Sequence, residues 1–134
     1  MSANKTPKAT WGKVKLFAAM FAATLSLCAG EAEEVNRIAQ STGWIGSEVE
    51  FRLWDQTRVD ILTDEYAVEV DWSSKWAEAI GQSLYYAEVT NRKAGIILLV
   101  KDKTKEYRNI YRCQTICAKY DIRLWIEVAS VSEN

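Results

Sequence analysis

Apolar residues recur along this chain with two different periods. Between residues 33 and 40 (EEVNRIAQ), Val35, Ile38 and Ala39 fall at i, i+3 and i+4, the spacing of one helix face. Ser41-Thr42-Gly43 ends that pattern. The period then changes to two. Val49, Phe51 and Leu53 alternate with Glu50, Arg52 and Trp54, as in a strand with one buried face. Asp55-Gln56-Thr57 reads as a turn, Arg58 to Leu62 as a second strand, Thr63-Asp64-Glu65 as another turn, and Tyr66 to Trp72 as a third strand. Short turns between them predict an antiparallel meander.

Helical spacing returns at Ser73, which reads as the N-cap of a helix running to about Asn91. Its inner stripe is Trp76, Ala79, Ile80, Ser83, Leu84 and Ala87, and Gly81 is expected to allow close approach to the sheet. Ala94 to Val100 (AGIILLV) is a short, continuous apolar run, expected as a buried central strand. Lys101 to Tyr120 predicts an amphipathic helix with Tyr107, Ile110, Tyr111, Gln114, Cys117 and Ala118 inward. Ile122 to Val128 is the last strand. The order αβββαβαβ predicts an α/β fold, a mixed sheet with helices on both faces.

The first 32 residues have a different character. Lys5, Lys8, Lys13 and Lys15 precede a twelve-residue apolar run, Leu16 to Leu27, and small residues follow. This is the layout of a secretory signal cleaved after Gly30 or Ala32, and the run is shorter than the roughly 20 residues of a membrane span. The expectation is a leader over 1–32, a domain over 33–134, and a periplasmic or secreted product with no membrane attachment after cleavage. Cys28 offers a lipidation alternative. Residues 33–134 hold 13 Lys/Arg against 17 Asp/Glu, a formal charge of −4. That balance excludes binding of nucleic acid by a uniformly basic surface. Cys113 and Cys117, four apart on one helix face, read as small buried residues; with no His in the chain there is no ordinary zinc set.

The acids are placed more tellingly than they are counted. Asp60 sits in the middle of the second strand and Glu69 in the middle of the third, with Asp71 two residues on and so on the same face as Glu69. If the strands pair through their short turn, Asp60 and Glu69 face each other. Carboxylates crowded in this way repel, and a hard divalent cation such as magnesium or manganese relieves the repulsion.

This arrangement resembles the PD-(D/E)xK, or restriction-endonuclease-like, nuclease superfamily. Asp60 matches the first acid of that motif and Glu69 the second. Gln82 with Tyr85 or Tyr86 resembles the Gln-x-x-x-Tyr element of recombination-type members, and Glu34 matches a further acid that many members carry on the opening helix. The resemblance implies a DNA substrate and a metal, Mg2+ or Mn2+, held by Asp60, Glu69 and Glu34. It implies hydrolysis of phosphodiester bonds by metal-activated water, with Asp60, Glu69, Lys75 and Gln82 as the catalytic set, and in many members a homodimer. The motif lysine falls at position 71, where this chain has Asp71. Lys75, in the first turn of the next helix, is the nearest candidate for a migrated lysine. Without that role the domain would be an inactive nuclease-fold module binding nucleic acid or a protein.

Other residues carry two readings each. Arg58, expected to point away from Asp60, is either a phosphate contact or half of a surface ion pair. Tyr85 is a candidate substrate contact. Glu48 and Glu50 either extend the acid site or are solvated edge charges. Trp76 and Trp125 read as core, and Trp44, Trp54 and Trp72 as possible stacking surfaces for bases. Arg92, Lys93, Lys101, Lys103, Lys105, Arg108 and Arg112 form the one basic concentration, either a backbone contact or a solvated helix face.

Overall fold

A computed structural model describes residues 32–41, 44 and 47–129, so the expected leader lies outside the described residues. Helix α1 (residues 32–41) is followed by strands β1 (Glu48–Arg52), β2 (Arg58–Leu62) and β3 (Tyr66–Trp72). A single 3-10 turn, Ser73–Lys75, leads into helix α2 (Trp76–Thr90). Strand β4 (Lys93–Val100), helix α3 (Tyr107–Lys119) and strand β5 (Arg123–Val128) complete the order. The five strands lie in one sheet in chain order. β1, β2 and β3 are antiparallel neighbours, whereas β3, β4 and β5 run parallel. The mixed sheet is therefore present, each parallel step being made by a helix crossover.

Alternation along the strands sorts the core into two layers. Val35 and Ile38 of α1 pack with Ile61, Val68, Val70, Ile97 and Leu99 on one face. On the other, Ala79 of α2 and Cys113 and Cys117 of α3 pack with Ala94, Ile96 and Leu98. β4 is buried from Ala94 to Val100, as a continuous apolar strand in a parallel sheet should be. Trp125 lies over Gly95 on the α1 face, its edge meeting Trp44 and Tyr66 with ring centroids 5.2 and 5.5 Å apart. Trp44, Trp72, Trp76 and Trp125 all pack against core clusters, whereas Trp54, on the turn after β1, is 82% exposed.

Four local expectations are corrected. Ser73 is not a side-chain cap; its hydroxyl donates to Glu106 Oε2 across the fold. Residues 101–106 form a loop rather than the first turns of a helix. In α3 it is Cys113 and Cys117 that are buried, with Ile110 beside them, while Tyr107, Tyr111, Gln114 and Ala118 face outward. The buried stripe is Ile110, Cys113 and Cys117, at i, i+3 and i+7, which leaves Tyr107 and Tyr111 on the opposite side. Gly81 and Leu84 are exposed, and nothing lies within 4 Å of where a Gly81 side chain would begin, so this glycine does not serve close packing.

Candidate functional site

The β2–β3 ladder pairs Leu62 with Ala67 and Ile61 with Val68. Beyond these pairs Asp60 and Glu69 are charge neighbours, the Asp60 carboxylate acting directly on Glu69. There the Val70 N–H donates to Asp60 Oδ2 at 2.8 Å, so a carboxylate satisfies this β3 amide. The acid row extends to either side. Glu50 lies across from Asp60 on β1, where the ladder pairs Val49 with Ile61 and Phe51 with Val59, and its backbone takes a left-handed φ of 60°. Asp71 follows Glu69 on β3 and is buried, and its Oδ1 accepts the Trp72 N–H at 2.8 Å.

Crowding and burial raise both central carboxyls. Glu69 is pushed up to about 9, chiefly by burial and then by the charges of Asp60, Asp71 and Glu78. Asp60 is pushed up to about 6, again chiefly by burial; the Val70 N–H works against the rise and Glu50 and Asp71 add to it. Burial and the neighbouring acids thus favour the protonated form of Glu69. Glu69 is 7% exposed, and its Oε2 is buried with no hydrogen-bond partner. Such an oxygen in a low-dielectric site costs of the order of 1–3 kcal/mol.

α2 lays its own polar groups over this row. Glu78, Gln82 and Tyr86 recur every four residues and so share a helix face. Gln82 Oε1 is a second buried oxygen without a partner. Tyr86 is buried; its hydroxyl is pushed up to about 12 by burial and by the charges of Glu69 and Asp60. Lys75, at the start of α2, has its Nζ 3.5 Å from Asp71 Oδ1.

Compared with known proteins, the chain matches no family profile and no solved structure. It is similar to a KilA-N domain-containing protein of Acanthamoeba polyphaga mimivirus, 38% identical over 68 residues. The match covers 51% of this chain and 18% of that protein.

The structure thus brings Asp60 and Glu69 together as charge neighbours, with Lys75 beside Asp71, while Gln82 lies on the α2 face it shares with Glu78 and Tyr86. Glu34 is placed elsewhere. It belongs to α1, on the opposite face of the sheet, and its carboxylate takes Arg37 Nη2 at 2.6 Å and Nε at 2.9 Å. Arg58 lies near Asp60 and Glu69 rather than pointing away, since its charge acts on both. Its Nη1 is 2.6 Å from Glu50 Oε2, and its charge lowers both Asp60 and Glu69. Tyr85 is turned outward, its hydroxyl donating to Asp55. The tyrosine above the acids is Tyr86, and the four-residue step from Gln82 was the signal for it. Glu50 was legible as an acid opposite the central pair once β1 and β2 were in register. Among the described residues, no three His, Cys, Asp or Glu side chains are grouped closely enough to enclose a metal ion by themselves.

Proposed function

We propose that this domain binds nucleic acid, seating a phosphodiester at Asp60 and Glu69. The observation that carries this reading is the unpartnered Glu69 Oε2, buried in the field of the Asp60 carboxylate. The similarity to a KilA-N domain-containing protein supports the nucleic-acid part.

The donors fit magnesium or manganese. They are hard oxygens, and magnesium is commonly held by one or two carboxylates together with water and substrate phosphate. Two neighbouring carboxylates, without a closed ring of ligands, suit a cation that arrives with a phosphate. Asp60 and Glu69 would hold the ion, and Glu69 would release its proton to do so. Arg58 would meet a phosphate oxygen at the edge of the row, and Gln82 would orient a water. The test is fluorescence anisotropy of the full chain with labelled DNA, in magnesium and in EDTA. Binding at least tenfold tighter in magnesium, lost in both Asp60→Asn and Glu69→Gln, is the expected result. Binding indifferent to magnesium and to both substitutions overturns the reading.

A second reading, hydrolysis of the bound strand, is favoured by Lys75, whose ammonium lies beside Asp71 at the end of the acid row. A bound magnesium ion would supply an activated water and offset charge on the phosphate. Lys75 would then steady the attacking water or the scissile phosphate, in the place of the lysine that position 71 lacks. Nicking of plasmid DNA that disappears in Asp60→Asn, Glu69→Gln and Lys75→Ala supports cleavage. Magnesium-dependent binding without nicking leaves a binding module.

A further inference from the structure

The outward face of α3 is built from residues the core does not use. Tyr107 and Tyr111 stand one turn apart at 57% and 69% exposure, and Tyr120 follows at the helix end. Arg108 and Arg112 lie beside them at the same four-residue step, both exposed. The Arg108 guanidinium lies 5.7 Å from the Tyr107 ring, and the Lys119 ammonium 5.6 Å from that of Tyr120. Residues 101–119 hold six Lys/Arg against two acids. Both acids are occupied: Asp102 caps Thr104 and Lys105, and Glu106 turns to Ser73.

We propose that this face of α3, with the loop at 101–105, is a track for single-stranded nucleic acid running toward the acidic face. The proposal rests on the nucleic-acid reading above and names the form of the ligand. Three arguments carry it. Phosphates are repelled by a domain that is acidic overall, and this segment gathers its cations. Exposed rings set among arginines stack on bases, whose faces are open only when unpaired. The loop is joined to the acid site, because Glu106 accepts the Ser73 hydroxyl together with the Lys101 and Asp102 amides, two residues before Lys75. A protein partner fits less well, since lysine is depleted at protein interfaces and this segment carries Lys101, Lys103, Lys105 and Lys119.

The probe is a labelled oligothymidylate of about 16 nucleotides, bound to the full chain across roughly 50–200 mM salt. Tyr107→Ala/Tyr111→Ala is expected to weaken binding by about tenfold or more while leaving the salt slope unchanged. Arg108→Ala/Arg112→Ala is expected to weaken it and to lower the slope by about 1.4. A duplex of the same sequence should bind less tightly than the single strand. Tyrosine variants that bind the oligonucleotide like the parent overturn the track. So do tyrosine variants whose only change is a loss of self-association in solution. If Asp60→Asn and Glu69→Gln abolish magnesium-dependent binding while the tyrosines do nothing, the nucleic-acid reading stands and the track falls. If the tyrosines matter and the acids do not, the track stands and the acidic seat falls.

Discussion

The Val70 amide donates to Asp60 Oδ2 at 2.8 Å, joining the two middle strands through a side chain at the point where the two acids meet. The same carboxylate therefore has a structural duty and an electrostatic cost. Asp60→Asn keeps an acceptor oxygen for the amide and removes a charge beside Glu69. Asp60→Ala removes both and strands the amide. In urea denaturation at pH 8, Asp60→Ala is expected to be less stable than Asp60→Asn by roughly 1–3 kcal/mol.

Stability should fall as pH rises, and Glu69 should be the main cause. An ordinary glutamate releases its proton near 4.5, whereas Glu69 in the fold keeps it to about 9. The native chain thus binds the extra proton. Its stabilising effect is complete below about pH 4.5 and is lost as pH climbs through 9. Asp60 acts in the same direction between 3.8 and about 6. Glu69→Gln cannot ionise. Thermal melts should show it equal to the parent near pH 4 and higher in Tm at pH 9 by at least ~4 °C, the shift for about 1 kcal/mol in a domain of this size.

Two glycines make opposite predictions. A methyl group at Gly95 would lie 3.0 Å from Trp125 Cζ3 and 3.1 Å from Val68 Cγ2, both in packed surroundings. Gly95→Ala should cost about 1–3 kcal/mol and alter the near-ultraviolet dichroism of the tryptophans. Gly81 has open space around it in mid-helix, so Gly81→Ala should stabilise by roughly 0.5–1 kcal/mol.

Much of this could be read from residue order. Strands β2 to β5 declare themselves by alternation or by continuous apolar runs, and their turns are short enough to fix the meander. The proximity of Asp60 and Glu69 followed from that meander. What failed was rotational and local. The inward stripe of α3 is the small set Ile110, Cys113 and Cys117, outweighed in the pattern by the larger tyrosines, and the loop at 101–106 resembles a helix in composition. Loop geometry here is set by Asp102 and Glu106 accepting nearby amides, contacts with no periodic trace. The choice between Tyr85 and Tyr86 turned on 100° of helix, and only the four-residue step from Gln82 singles out Tyr86.

Glu106→Ala should release the loop at 101–105. Ser73, Lys101 and Asp102 would all lose their acceptor, at a cost of about 1–2 kcal/mol. Limited trypsin digestion is the check, with faster cleavage after Lys101, Lys103 and Lys105 expected in the variant.

That one buried-facing carboxylate also works as a ruler. Strand β4 ends and helix α2 begins at fixed points of a rigid sheet, and Glu106 clamps the basic loop to the second of them. The gap separating the lysine-rich rim from the paired acids is consequently a property of the backbone, indifferent to how individual lysines swing.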